Sequence, residues 1–277
     1  MERSCPRKSN ENPATPMQPP LSALDAAYAS KAGKAVRFAP ASPLTSRAGQ
    51  PVSLPHDPHL APNLSFERNG FQIRIANGCD VLKKQTAKLI ERMYSARGLF
   101  PYGMHAELDR RDITVVALRE HHAVATLTLR MDHGAGLLAD TLYRKEIDAV
   151  RNIGGRVCEI TRLAIDPDLG SHDALAGLLQ ALYVLARLTQ RMTDIFIEVH
   201  PRHARFYQRI FGYRMAGPER ICPRVGAAAV LLHLSQQEFE RSLAYHENVA
   251  ARRPQRVQRL LPSETELQAV LKGFEAA

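Results

Sequence analysis

The chain has 277 residues, of which 45% are hydrophobic and 23% are charged, which is the composition of a folded globular protein. It has no apolar run of about 18 residues, which argues against a membrane span, and no apolar stretch of a signal peptide at its start, which argues against secretion. Its four cysteines are scattered and form no CxxC pair, which argues against a zinc site and a disulfide scaffold. Together these features indicate a cytoplasmic protein. The net charge of +9 lies mostly in residues 1–65 and after residue 198, so the partner is expected to be acidic: a nucleic acid, an anionic membrane or an acidic protein.

Proline dominates the first part of the chain. Residues 1–65 hold 11 of the 18 prolines and little periodic apolar pattern. Such a segment cannot bury enough apolar surface to offset its chain entropy, so it predicts a disordered leader. We expect one catalytic or binding domain over residues 66–246 and a C-terminal helical extension over residues 247–277.

The sequence of this domain predicts alternating strands and helices. The first half predicts a strand, a helix, a hairpin, a helix and a strand, over residues 71–76, 80–97, 113–132, 138–151 and 156–166. The second half predicts a long helix, a buried strand, a short helix and a last strand, over residues 171–191, 194–199, 201–212 and 227–234. Tyr213 is predicted to begin a further strand, and surface helices are predicted over residues 235–246 and 254–276. Antiparallel pairs followed by a βαβ unit predict an α/β (α+β) fold with one mixed central sheet flanked by helices.

One stretch joins a predicted strand to a helix start. In CEITRLAIDPDLGSHDALA (158–176), the turn contains a single glycine, Gly170, and a capping serine, Ser171. The free N–H groups at a helix start can bind a phosphate, so Gly170 and Ser171 are candidate contacts to a substrate. A plain strand–helix turn with a capping serine is the alternative.

These residues resemble a known family of enzymes. The stretch EVHPRHARFYQRIFGY (198–213) and the strand above are similar to the GNAT acyltransferase superfamily, and the Glu-x-x-Arg of EITRLAID (159–166) is similar to acyl-homoserine lactone synthases. The combination most resembles the long-chain N-acyl amino acid synthases, over about residues 66–245. The resemblance implies a GNAT-like fold and transfer of a long-chain acyl group from acyl carrier protein to the amino group of an amino acid. An ornithine-lipid-type or homoserine-lactone-forming acyltransferase is the alternative enzyme.

The resemblance also implies the donor and its carrier. No tightly bound cofactor is expected, and the donor is a phosphopantetheine thioester. The glycine-rich pyrophosphate loop of the superfamily is reduced here to Gly170, which favours acyl carrier protein over acyl-CoA. Arg202, Arg205 and Arg209 predict a docking surface for this acidic partner, with a merely solvated face as the alternative. The arginines over residues 252–259 predict peripheral contact with the anionic inner face of a membrane.

Two residues of the Glu-x-x-Arg motif are candidate site residues. Glu159 stands inside an apolar strand, where a carboxylate is costly unless it is paired or used, so it is a candidate general base. A structural Glu159–Arg162 pair is the alternative. A strand bulge would bring Arg162 to the face of Glu159, where it could clamp a substrate carboxylate or anchor Glu159. The same bulge would expose backbone N–H groups as an oxyanion hole, at Leu163, Ala164 and Ile165.

Two further residues complete the predicted site. By the resemblance, Tyr207 protonates the leaving thiolate, and a core tyrosine bonded to backbone is the alternative. His200 is predicted to contact substrate or to cap the next helix, and no metal site is predicted, because His200 and His203 have no third ligand in the sequence.

Two hypotheses from other functional classes remain as alternatives. A basic nucleic-acid-binding module is disfavoured, because residues 66–198 are nearly neutral and no interleaving of aromatic and basic residues occurs, so no nucleic-acid partner is expected. The other is a GNAT-like binding module without activity.

Overall fold

The computed structural model describes residues 64–99, 112–132 and 136–240, which form an eight-stranded sheet and the helices around it. The strands are β1 (Ser65–Arg68), β2 (Phe71–Ile75), β3 (Ile113–Arg119), β4 (His122–Met131), β5 (Val157–Ile165), β6 (Asp194–Val199), β7 (Arg214–Cys222) and β8 (Ala227–Ser235). The helices are α1 (Asp80–Ser95), α2 (Asp140–Arg151), α3 (His172–Tyr183) and α4 (Pro201–Phe211).

The sheet is mixed, with the strand order β1-β2-β3-β4-β5-β6-β8-β7. Strands β1 to β5 pair antiparallel in chain order, β5 and β6 pair parallel, and β6, β8 and β7 again pair antiparallel. The only parallel pair in the described sheet is therefore joined by the crossover helix α3. Both the predicted antiparallel start and the predicted βαβ unit are confirmed.

Helices cover both faces of the sheet. On one face, α3 and α4 bury their apolar residues against the central strands, as at Leu178 and Ile210. On the other face, α1 packs through Leu89 and Ile90, and α2 packs through Tyr143 and Ile147. The sheet is thus the middle layer of a sandwich, as the apolar pattern predicted.

The ends of the helices follow local sequence signals. Helix α4 starts with Pro201 in its first turn and ends at Gly212, whose φ of 81° is easy for a residue without a Cβ. The predicted helix over residues 171–191 is α-helical only to Tyr183, and residues 184–189 continue it as a π-helical turn.

Several predicted segments lie outside the described residues. These are the leader before residue 64, the helical extension after residue 246 and the basic cluster over residues 252–259. Strand β1 was not predicted, because four residues at a sheet edge give almost no periodic signal. None of the helices in the described ranges combines the length and the apolar character needed to cross a membrane.

Candidate active site

A cleft opens where β5 and β6 separate. The two strands pair from Val157 with Asp194 to Ile160 with Ile197, after which β5 continues to Ile165 without pairing to β6. Partly buried apolar side chains of β5, β6 and α4 lie beside this opening, among them Leu163, Ile165, Val199, Phe206 and Tyr207. The carboxyl ends of parallel strands are where α/β proteins bind ligands, so this cleft is the candidate active site.

A bulge shapes β5 at the start of the cleft. Thr128 of β4 pairs with Thr161, but Thr126 pairs with Ala164, so β5 holds one residue more than β4 between these pairs. Arg162 lies in this bulge with a φ of 54°, a left-handed conformation that glycine usually occupies. The predicted bulge is confirmed. A non-glycine residue in this conformation is strained, and strained residues cluster at functional sites.

The bulge also sets the direction of the backbone N–H groups. Asp166 donates its N–H to Val124 on β4, at 2.8 Å. Because the backbone direction alternates along a strand, the N–H of Ala164 also faces β4, whereas that of Ile165 faces the cleft. Of the predicted oxyanion donors, Ile165 therefore presents its N–H to the cleft, whereas Ala164 does not.

Arg162 contacts an aspartate that sequence reasoning did not single out. Its Nη1 lies 3.5 Å from Oδ2 of Asp112, and no ion pair joins it to Glu159 in the described part of the chain. Asp112 is 1% exposed and accepts two hydrogen bonds from Arg130, at 2.8 Å and 3.1 Å. Since Arg130 already satisfies Asp112, the guanidinium of Arg162 keeps donors for a further anion.

Glu159 is buried and fixed through one of its two oxygens. Its Oε2 accepts hydrogen bonds from the N–H groups of Leu138, at 2.7 Å, and Ala139, at 3.2 Å, where α2 begins. Its Oε1 makes no hydrogen bond with a described residue. Burial raises the pKa of Glu159 to about 7, although the N–H of Ala139 and the charge of Arg224 lower it. A carboxyl group with this pKa can act as a base near neutral pH.

Glu198 is part of the hydrogen-bond network that positions Glu159. Arg224 donates to Oε2 of Glu198 at 2.9 Å and to the carbonyl oxygen of Leu138 at 2.6 Å. Leu138 thus bonds to Arg224 through its carbonyl and to Glu159 through its N–H. This network holds the backbone that orients the Glu159 carboxylate.

Tyr207 lies in an aromatic group on α4. Its ring centroid is 5.3 Å from that of Phe206 and 6.0 Å from that of Tyr213. Burial, followed by the charge of Tyr94, raises the pKa of Tyr207 to about 12, and the charge of Arg97 partly opposes this. Its hydroxyl makes no hydrogen bond with a described residue, so the alternative of a tyrosine bonded to backbone is not observed. A neutral phenol in this position is able to donate a proton.

Tyr94 is a second tyrosine of the site that sequence reasoning missed. It lies near the end of α1 and packs in the same cluster as Ala164, just past the bulge. Burial raises the pKa of Tyr94 to about 12, and the charges of Arg97 and Arg162 partly oppose this. Its position four residues after Ile90, on the apolar stripe of α1, was the only sequence signal.

The turn after β5 is held by hydrogen bonds between its own residues. The carboxylate of Asp166 accepts the N–H groups of Asp168 and Leu169, and its carbonyl oxygen accepts that of Gly170 at 2.9 Å. A Cβ on Gly170 would lie 2.5 Å from this carbonyl oxygen, so only glycine fits. Ser171 caps α3, as predicted, by accepting the N–H groups of Asp173 and Ala174 at 3.1 Å and 3.3 Å.

The junction between β6 and α4 carries the remaining predicted residues. Nδ1 of His200 accepts the N–H of Arg202 at 3.3 Å, and His200 thereby caps α4. Burial, followed by the charge of Arg202, lowers the pKa of His200. Arg202, Arg205 and Arg209 are exposed on successive turns of α4, and the last two form no ion pair with a described residue. The described ranges hold no group of three His, Cys, Asp or Glu residues suited to a metal ion.

Comparisons with known proteins agree with this architecture. A family model described as N-acyl amino acid synthase FeeM matches residues 85–235, more than half of the chain. The structure of FeeM, an N-acyl amino acid synthase from uncultured soil microbes, is 22% identical with a TM-score of 0.54, covering 60% of this chain and 96% of FeeM. This superposition confirms the predicted GNAT-like fold.

Two other solved structures are less similar. The acyl-homoserine lactone synthase LasI is 16% identical with a TM-score of 0.43, covering 60% of this chain and 88% of LasI. The ribosomal-protein-S5-alanine acetyltransferase from Vibrio fischeri is 11% identical with a TM-score of 0.45, covering 64% of this chain and 99% of that enzyme. No curated protein sequence matches the chain.

The strain in the bulge can be measured by substitution. Arg162→Gly and Arg162→Ala both remove the guanidinium, but only glycine adopts a φ near 54° without steric cost. We expect the glycine variant to be more stable by about 1 kcal/mol in urea denaturation. Thr161 is the matched control, because glycine in a regular strand should be less stable there than alanine. The same order of stability at both positions would contradict the strained bulge.

Proposed function

The chain belongs to the N-acyl amino acid synthase family represented by FeeM, and we propose that it transfers a long-chain acyl group from acyl carrier protein to the amino group of an amino acid. The observation that carries the proposal is the cleft between β5 and β6. Glu159 lies one residue before the last β5–β6 pair, and Arg162 and Ile165 follow it on β5. Glu159, Arg162 and Ile165 thus follow one another along β5 where it separates from β6.

Amide formation from a thioester requires catalytic assistance at three points. The amine must lose a proton, the carbonyl must be polarised, and the leaving thiolate must gain a proton. Glu159 accepts the amine proton on its unbonded Oε1, and the N–H groups of Leu163 and Ile165 stabilise the oxyanion. The C–N bond forms, the C–S bond breaks, and Tyr207 donates its proton to the thiolate of the phosphopantetheine arm.

The amino acid is recognised through its carboxylate. Arg162 is only loosely bonded to Asp112, at 3.5 Å, and a fifth of its side chain is exposed. A guanidinium offers two parallel donors, which fit the two oxygens of a carboxylate. We therefore assign the acceptor carboxylate to Arg162, with His200 at the end of β6 as a further contact.

Two observations support a carrier protein as the source of the thioester. Four of the N–H groups that could bind the diphosphate of acyl-CoA are already used: those of Asp168 and Leu169 by Asp166, and those of Asp173 and Ala174 by Ser171. The exposed arginines of α4 begin directly after β6, beside the cleft, and suit an acidic protein surface. Phosphopantetheine on the carrier needs no dedicated nucleotide site.

Glu159→Gln tests the general base. Glutamine can keep the hydrogen bonds to Leu138 and Ala139 but cannot accept the amine proton, so the single-turnover rate should fall by about 10²–10⁴-fold. The wild-type rate should rise with pH through about 7, because the pKa of buried Glu159 lies there and only its ionised form is a base. This inflection should be absent from the variant.

Stability measurements separate this role from a structural one. Because burial raises the pKa of Glu159 from 4.5 to about 7, the folded wild type should lose stability as pH rises through this interval. The Gln variant should lack this loss and should be at least as stable as wild type at pH 8. Normal turnover together with a lowered Tm at pH 8 would refute the assignment to catalysis.

Charge reversal tests the carrier surface. We expect Arg205→Glu with Arg209→Glu to raise KM for acyl carrier protein by roughly tenfold and to weaken its salt dependence. Turnover of acyl-pantetheine should not change, since this donor has no acidic protein surface for Arg205 and Arg209 to contact. The matched control reverses two exposed arginines elsewhere, Arg74 on β2 and Arg156 before β5. An equal effect of the control pair, or no effect of the α4 pair, would disprove docking at α4.

A further inference from the structure

Two carboxylates share the backbone N–H groups at the start of α2. Oδ2 of Asp140 accepts the N–H of Leu137 at 2.7 Å. Oε2 of Glu159 accepts the next two N–H groups, those of Leu138 and Ala139. The N–H groups at a helix start have no partner within the helix, so they stabilise negative charge. The position of this short backbone segment therefore decides how well the Glu159 carboxylate is bonded.

Arg151 fixes Asp140 from the last turn of α2. Its guanidinium donates to both oxygens of Asp140, at 2.7 Å to Oδ1 and at 2.8 Å to Oδ2. Further donors of the same guanidinium reach Asp148 at 2.7 Å and Asp132 at 2.6 Å. The side chains of Arg151 and Asp140 are only 19% and 8% exposed, so water screens this bidentate pair little.

A break in α2 makes the contact between Arg151 and Asp140 possible. The two residues are 11 positions apart, which is about 16 Å along a regular helix and further than an arginine side chain reaches. Tyr143 interrupts the helix with a φ of −126° and a ψ of 26°. Its hydroxyl lies within hydrogen-bond distance of the carbonyl oxygens of Pro218 and Ala229, which anchors the break. The first turn of α2 is thus bent towards the last, and Arg151 holds the two together.

The pKa values of the two carboxyl groups fit this arrangement. Although burial raises the pKa of Asp140, hydrogen bonds from Arg151 and from the N–H of Leu137 hold it below its usual value, so Asp140 stays ionised and paired. Burial raises the pKa of Glu159 to about 7, and the N–H of Ala139 lowers it. Loosening the start of α2 would remove this lowering and leave the effect of burial.

Other charged and titratable groups surround Glu159 without forming an ion pair with Arg151 in the described ranges. They come from each neighbouring element and comprise Cys158 on β5, Arg130 opposite on β4, Glu198 on β6, Tyr143 on α2 and Arg224 between β7 and β8. Of these, Arg224 lowers the pKa of Glu159 and Glu198 raises it. A substitution of Arg151 leaves their contacts in place, so its effect on Glu159 is transmitted through the start of α2.

We infer that Arg151 is a positioning residue of the acyl transfer: through Asp140 it holds the start of α2 against Glu159 and so sets the strength of the general base. The inference rests on the proposed function, in which Glu159 accepts the amine proton. Arg151 acts through Asp140 and the backbone and takes no direct part in the reaction. Residues that lock a reactive group in this way determine how precisely it is placed.

Arg151→Ala tests the inference. Asp140 loses its cation and the N–H groups of Leu138 and Ala139 are held less firmly, so the pH at which the rate rises should increase by about one unit. At pH 7, kcat should fall roughly fivefold, with KM for both substrates unchanged and a rate near that of wild type at pH 9. Carbon-13 NMR of labelled glutamate should show the same shift for Glu159, whose signal is the one missing from Glu159→Gln.

Two further variants separate positioning from stability. Asp140→Ala should shift the titration of Glu159 in the same direction, while Arg151 keeps Asp132 and Asp148 as partners. Asp148→Ala is the matched control, because it removes an ion pair from the same arginine but no contact at the start of α2. It should leave the pH profile and the titration of Glu159 unchanged. If Arg151→Ala does not fold, the comparison of Asp140→Ala with Asp148→Ala decides.

A lowered Tm with a wild-type titration of Glu159 in Arg151→Ala or Asp140→Ala would show a purely structural role and overturn the inference. A shift of the same size in Asp148→Ala would also overturn it. The NMR titration does not depend on turnover. The expected shifts of Glu159 in a protein that forms no product would therefore refute the proposed acyl transfer, while the hold of Arg151 on Glu159 stands.

Discussion

The extra residue of β5 at Arg162 is the constraint on which the arrangement of the site depends. It follows the last pair between β5 and β6 by two residues, so the alternation of side chains and N–H groups along β5 changes where the cleft opens. It turns the N–H of Ile165 to the cleft and brings Arg162 to Asp112. The left-handed backbone costs about 1–3 kcal/mol, and the ladder with β4 on both sides of the bulge holds it in place.

The acidic groups around this bulge differ in their partners, and this difference separates their roles. Asp112 and Glu198 each have an arginine, Arg130 and Arg224, in direct ion pairs. Glu159 has only backbone N–H groups, so burial dominates and its pKa rises to about 7. Neighbouring carboxylates whose surroundings differ in this way commonly divide structural and proton-transfer roles.

Local signals in the sequence predicted most of the fold. Pro201 and Gly212 mark the ends of α4, and the apolar strand–helix–strand pattern predicts the parallel pair β5–β6. Contacts across the sheet left no such signal. Asp112 directly precedes β3 and Arg130 lies on β4, 18 residues later, and their pairing depends on the register of the two strands. Tyr94 reaches the site only through the packing of α1 on β5, so its neighbours Arg162 and Ala164 could not be predicted from spacing.

In the proposed reaction, one cleft brings a thioester and an amino acid together for amide formation. The most direct measurement incubates the purified full chain with a long-chain acyl carrier protein and a mixture of amino acids, and follows products by mass spectrometry and released carrier thiol. One N-acyl amino acid should form for each thiol released. Thioester consumed only to free fatty acid, or left intact whatever amino acid is present, would contradict the proposed reaction.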